Sequence, residues 1–333
     1  MPILVTGATG LLGNNIVRQL LAQGRPVRVL VRPDADPQPL DGLDVEVVEG
    51  DVRDAESVRR ACHLTEGVIH AAALVHIGHT RTALQREINV EGTRHVAEAA
   101  QLYQIRLVHV STINALGVAR GIQPFAEDTL RAPNVHCGYV STKRASEEVV
   151  RELLPHGLDA VIVNPSLMFG PWDWKPSSGQ MFLQVVQRQP LLAPPGGVSI
   201  CSVEDVADAV IAALDLAPTG RQYILAGHNI TYLALWQQMA QLAGSRPPQG
   251  SFGPLVALAA GFLGDLLSHL GGSEGEVNSV AIRMSRLHHY CDSNRAITEL
   301  RYRIRPLEET LERAYEWLAE HHQLRGRYCP QHH

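Results

Sequence analysis

The chain is poor in cysteine, in long apolar runs and in clustered positive charge. Its five cysteines (Cys62, Cys137, Cys201, Cys291 and Cys329) are scattered over 333 residues with no pair at metal-ligand spacing. This excludes a disulfide framework and reads as reduced thiols in a cytoplasmic compartment. The longest apolar run, Pro254 to Leu270, is interrupted by Asp265 and carries two glycines. It falls short of the roughly 20 residues a span needs, so it is read as a core or pocket-covering helix in preference to a membrane segment. No signal peptide is expected, because PILVTG at Pro2–Gly7 is already a buried-strand pattern entering a turn. With 29 basic against 34 acidic residues and no dense basic run, nothing predicts nucleic-acid binding. No repeat or low-complexity segment stands out. What is present, 45% hydrophobic and 19% charged residues, supplies core enough for one large domain or two ordinary ones.

Short apolar runs alternate with amphipathic stretches through the first half. Strands are predicted at Ile3–Thr6, Val27–Val31, Val45–Val48, Val68–Ala71, Leu107–Ser111 and Ala160–Val163, and helices at Leu11–Gln23, Ala55–Cys62, Thr82–Tyr103 and Tyr139–Leu154. The strands are rich in β-branched residues and lack period-two polarity. That pattern predicts an α/β, doubly wound parallel sheet covered on both faces. After Pro165 the rhythm breaks into FGPWDWKPSSGQ, a loop, and resumes with a strand–helix unit near 198–216 and a strand at Gln222–Leu225. The expected division is a nucleotide-binding domain at 1–169 and a smaller, mostly helical substrate region at 170–333, with the unit at 198–225 returning to the sheet. Substrates of open α/β proteins sit at the carboxyl ends of the strands.

VTGATGLLGNNIV follows the first strand and opens the first helix. Gly7, Gly10 and Gly13 allow a tight turn and close approach of backbone to a ligand, so the segment Gly7, Thr9, Gly10, Leu11, Leu12, Gly13 is the candidate pyrophosphate cradle. An NAD site places an acid at the end of strand two; here Val31 is followed by Arg32, with Arg28 earlier in the strand. Arg32 suits a 2′-phosphate, so NADP is expected, with NAD as the alternative. In GDVRD, Asp54 fits a helix cap, which leaves Asp51 for the adenine and Val52 to pack on its face.

Tyr139 and Lys143, in GYVSTKRASEE, stand at i and i+4 and so share one helix face. An ammonium beside a phenol lowers its pKa, which suits a proton donor or acceptor. With these motifs the chain resembles the extended short-chain dehydrogenase/reductase family, the NAD-dependent epimerase/dehydratase group. It is similar above all to its dihydroflavonol-reductase-like and hopanoid-associated sugar-epimerase-like branch. The resemblance runs nearly the whole chain, through HAAA at His70–Ala73, NVEGT at Asn89, VSTINALG around Thr112, NPSLMFGP and SVEDVADAV. It implies a catalytic set of Thr112, Tyr139 and Lys143. Tyr139 would be acid/base, Lys143 would lower its pKa and hold the nicotinamide ribose, and Thr112 would hydrogen-bond the substrate oxygen. It also implies cofactor contacts from Ala71, Ala72, Ala73, Asn89, Pro165 and Ser166, and substrate contacts from Thr112, Asn164, Met168 and Lys175. A homodimer through the helices at 82–103 and 139–154 would be in keeping.

Other residues invite weaker readings. His70, His76 and His79 look like a metal cluster but are expected at a strand end and in a loop, so no metal is expected. Cys137 lacks a partner for nucleophilic catalysis, Ser111 reads as support for Thr112, and Trp172 and Trp174 either line the pocket or anchor the loop. The paired histidines at His288, His321 and His332 read as fillers or tail. Three reactions remain. Thr112-Ile113-Asn114 lacks the acids of a sugar dehydratase; an epimerase of nucleotide sugars stays open; reduction of a ketone or aldehyde is favoured. A non-catalytic NADP(H) sensor has no need of a proton donor.

Overall fold

The computed structural model describes residues 1–119, 121–129, 137–271, 274–275 and 277–322. Cys329 and His332 lie outside these residues. Six strands, β1 (Ile3–Thr6), β2 (Val27–Val31), β3 (Val45–Glu49), β4 (Gly67–His70), β5 (Arg106–Val110) and β6 (Ala160–Pro165), join the strand Gln222–Leu225 in one sheet. Every pairing in it is parallel, and the order is Gln222–Leu225, β6, β5, β4, β1, β2, β3. The doubly wound fold expected from strand–helix alternation is therefore what forms. β1 and β4 are buried along their whole length, as central strands covered on both faces must be. On one face lie the helices Leu11–Ala22 and Val203–Leu216 over a core that includes Val5, Ile16, Val161 and Val206. On the other lie Ala55–Cys62, Gly92–Leu102 and Gly138–Leu153 over Leu4, Val58, Val96 and Val150.

The chain order reverses between β1 and β4, with β2 and β3 built outward on one side and β5 and β6 on the other. The carboxyl ends of β1 and β4 therefore open a crevice, the usual ligand position in such sheets.

Two expectations for the second half need correction. The strand near 198, Gly197–Ser202, does not return to the main sheet; only the helix after it and Gln222–Leu225 do. The chain leaves β6 at Pro165, and its continuation Leu167–Phe169 pairs with Ile200–Ser202 to begin a second, four-stranded sheet with His228–Thr231 and His288–His289. The region after 170 is thus a sheet with helices packed on it. The apolar helix Pro254–Gly271 is not a core element either: Leu255 is 82% and Leu258 73% exposed.

Candidate active site

Steric crowding explains the glycine turn. Gly7 has φ +75°, and a Cβ there would lie 2.7 Å from the backbone of Ala71 and Ala72. A Cβ on Gly13 would lie 2.1 Å from the Gly7 carbonyl oxygen. Gly10 caps the helix Leu11–Ala22 with no side-chain hydrogen bond, so the positive helix end is left for an anion. Gly7, Thr9, Gly10, Val31, Arg32, Asp51, Val52 and Ala71 to Ala73 line a single cleft of about 270 Å³. Leu11 and Leu12 sit behind it, their side chains in the core.

Around the rim the arginines separate. Arg28 donates to the carbonyls of Ala61 and His63, closing the end of the helix Ala55–Cys62, and pairs with Glu46 at 2.9 Å. Arg32 is half-exposed at the cleft, with Asp34 3.6 Å away. Asp54 caps its helix by accepting from the N–H groups of Glu56 and Ser57. Asp51, though, is not left free. It accepts from the Arg53 backbone N–H at 2.9 Å and pairs with the Arg53 guanidinium at 2.8 Å. Burial would raise its carboxyl pKa, and the Arg53 bonds outweigh this and hold it below the usual range. Val52 is buried against Gly92, where a Cβ would come within 2.9 Å of the valine methyl.

Asn89 sits in a π turn, Glu87–Glu91, and has no exposed surface. Its amide accepts from Leu74 N–H at 2.7 Å and donates to Leu74 O and Thr142 Oγ1. It shapes the loop after β4 and acts on the cleft through that loop.

The helix Gly138–Leu153 brings the next set together. Tyr139 is half-buried, and the Thr112 side chain is near enough to act on its hydroxyl. Thr112 starts the short helix Ile113–Leu116, its Oγ1 accepting from Asn114 N–H. Loss of hydration pushes the phenol up to about 12, against the lowering effect of Thr112. The expected lowering by Lys143 is absent. Lys143 is 2% exposed, and its Nζ donates to the Val110 carbonyl at 2.7 Å. Loss of hydration brings its ammonium down to about 8, against the opposing pull of Glu147. Tyr139 therefore keeps its proton through neutral pH, as a donor must.

Behind them lies a buried network that sequence reasoning named only in part. Glu147 accepts from Ser111 Oγ at 2.6 Å, Asn164 Nδ2 at 2.7 Å and Arg151 at 2.9 Å. Asn164 also donates to the Thr112 carbonyl at 2.8 Å and accepts from Gln222. Asn164 is thus fully buried and engaged within the protein, which corrects its reading as a substrate contact. Its amide fixes the backbone of Thr112 from below. Glu147 was missed, and its spacing four residues after Lys143 was the available signal.

Pro165 ends β6 in full burial, and Ser166 donates to Cys201 Sγ at 3.2 Å. Met168 lies partly buried on the strand Leu167–Phe169, while Lys175 is exposed in the following loop. The tryptophans anchor that loop: Trp172 and Trp174 pack on Trp317, and the Arg18 guanidinium lies 3.4 Å over the Trp172 ring. His70 is buried and held neutral by loss of hydration, between Thr6 and Thr93. His76 and the His79 backbone bond Glu274 instead. The described cysteines are buried and unpaired, and burial raises the Cys137 thiol.

The model of the NAD dependent epimerase/dehydratase family matches residues 3–226. The chain belongs to that family. Its relatives include "Sterol demethylase protein B" of Methylococcus capsulatus, 34% identical over 80% of this chain and 82% of that protein. A "Putative dihydroflavonol 4-reductase" of Synechocystis is 32% identical over 95% of this chain and 94% of its own. The crystal structure of gox2253 superposes with a TM-score of 0.84 at 31% identity, covering 97% of this chain and 99% of that one. Members of the family use NAD(P), and a dinucleotide fits the cleft: glycines crowd the backbone turn, a helix end faces it, and the wall at Ala71 to Ala73 is small and apolar.

Proposed function

We propose that this family member reduces a ketone or aldehyde to an alcohol with NADP(H) in preference to NAD(H). The observation that carries this reading is the placement of Tyr139 beside Thr112, on the helix that also carries the buried Lys143. When bound, the nicotinamide supplies hydride. Tyr139 then gives its proton to the oxygen of the reduced carbonyl. Thr112 orients that oxygen and stabilises its developing charge. Lys143 keeps positive charge below the tyrosine.

Gly7, Thr9, Gly10 and the first helical turn would hold the pyrophosphate, with Val52 against the adenine and Ala71 to Ala73 beside the nicotinamide half. Asp51 and Asn89 shape this site from Arg53 and Leu74. An apolar substrate is in keeping with a relative named for sterol demethylation and with Val280 and Met284 packed near Tyr139. Of the groups nominated for a nucleotide sugar, Lys175 is turned to solvent and Asn164 is engaged within the protein.

The test is a panel of ketones, aldehydes and nucleotide sugars, followed by nicotinamide absorbance and product analysis. Stoichiometric oxidation of NADPH by a carbonyl is the expected result. Interconversion of two nucleotide sugars with no net NADPH change would assign the site to an epimerase instead. Cofactor choice is separable. Arg32→Ala should weaken NADPH by about 1.5 kcal/mol, the low end for a charged hydrogen bond because the side chain is half-exposed, and leave NADH nearly unchanged. Equal dissociation constants for the two cofactors in the wild type would refute the preference.

A further inference from the structure

The helix Pro254–Gly271 is built inside out. Its packed side consists of small residues: Ala257 is 1% exposed, a Cβ on Gly261 would approach Ser279 to 3.2 Å, and one on Gly264 would lie 2.0 Å from the Val277 carbonyl oxygen. Its solvent side carries Leu255, Leu258, Phe262, Leu263, Leu266 and Leu267, with Phe262 70% exposed. At 100° per residue these six cover about half the helix circumference. A helix folding onto a protein core alone turns its large apolar residues inward, and an exposed patch of this kind marks an interaction surface.

We infer that this helix is an interfacial element that seats the protein on an anionic lipid bilayer, lying in the surface plane with its leucines and Phe262 below the headgroups. The six side chains present no hydrogen-bonding group. Protein interfaces carry about one hydrogen bond per 100–200 Å² within a polar rim, whereas hydrocarbon asks for none. The charges near the helix are arranged for anionic headgroups. The Glu274 carboxylate is turned inward, onto His76, the His79 N–H and Thr80, while Asp265, about a third exposed, accepts from Ser279 N–H. His269 in the last turn of Pro254–Gly271, and Arg283 and Arg286 at the end of the helix packed against it, are exposed. The helix does not cross: no helix among the described residues is long and apolar enough to do so. The same packed helix, Ser279–Ser285, places Val280 and Met284 in one cluster with Cys137, Val140 and Tyr139. The seated face is therefore one helix layer from the proposed proton donor.

Vesicle binding needs neither cofactor nor substrate, so its outcome is independent of the reductase assay. The full chain is sedimented with phosphatidylcholine vesicles and with vesicles containing one quarter phosphatidylglycerol. The wild type should pellet with the anionic vesicles and several-fold less with the neutral ones. Leu258→Glu with Phe262→Glu should bind at least tenfold more weakly at unchanged melting temperature, because both side chains are already in water. In a separate variant, Phe262→Trp should show a blue-shifted emission when anionic vesicles are added. Failure of the wild type to pellet with either vesicle, or an unshifted emission, would overturn the assignment. Equal binding to both vesicles would overturn its anionic part. A dimer in sedimentation velocity that the double variant abolishes, without vesicle binding, would give the face to a second copy.

Discussion

Tyr139→Phe should reduce turnover of an established carbonyl substrate by about 10²- to 10⁴-fold, the range for loss of a positioned general acid. The substitution removes the hydroxyl beside Thr112 and keeps the ring, so the cluster with Cys137, Val140, Val280 and Met284 stays packed. Cofactor affinity should change little, because the cleft between the glycine turn and Ala71 to Ala73 does not include this side chain. Measurement of kcat by stopped-flow and of NADPH binding by fluorescence separates the two effects. Turnover within threefold of the wild type would remove Tyr139 from the proton-donor role. In the wild type, reduction should be level from pH 6 to near 8, since burial keeps the phenol protonated up to about 12.

Lys143→Met should abolish turnover without destabilising the fold. Loss of hydration brings the Lys143 ammonium from the ordinary 10.5 to about 8. Below pH 8 the lysine is charged in both the folded and unfolded chain, and the folded state bears the whole desolvation cost, on the order of 3 kcal/mol. Between pH 8 and 10.5 the folded chain releases a proton that the unfolded chain still holds, so wild-type stability from this group rises with pH through that window. Methionine keeps the length and removes the charge, at the cost of leaving the Val110 carbonyl without its bond, about 1–3 kcal/mol. The two effects nearly cancel at pH 7. Urea unfolding at pH 7 and 9 should therefore find the variant within about 1 kcal/mol of the wild type at the lower pH, and the wild type alone gaining at the higher. A loss above about 3 kcal/mol at pH 7, with no difference in pH slope, would mean that the buried ammonium is a net stabilising group.

Those opposite effects explain why a costly residue stands there. Lysine is scarce in this chain, with only Lys143 and Lys175 among its 29 basic residues. Arginine serves for the surface pairs, and the single buried lysine is the one beside the tyrosine. Glu147 lies one helical turn further on and favours its charge, while Arg151 and Asn164 bind that carboxylate in turn.

Much of this was legible in residue order because it depends on local geometry. Strand–helix alternation dictates a parallel sheet, glycine spacing dictates a turn that only glycine can make, and i,i+4 spacing puts Tyr139 and Lys143 on one face. Asp54 was recognisable as a cap for the same reason. What residue order left open were questions of distance between remote segments. Asn164 looks available until Thr112, Glu147 and Gln222 are seen around it, and Asp51 looks available until Arg53 is seen to hold it. The strand at Gly197–Ser202 has the apolar pattern of a main-sheet strand, and only its pairing with Leu167–Phe169 assigns it to the second sheet. Tyr139 and Lys143 are adjacent by periodicity alone, yet their protonation is set by burial among segments far away in sequence, which raises one pKa and lowers the other. Likewise the composition of Pro254–Gly271 shows an apolar helix, but which side faces water follows from glycines that let Ser279 and Val277 approach so closely that the leucines have nowhere to go but outward.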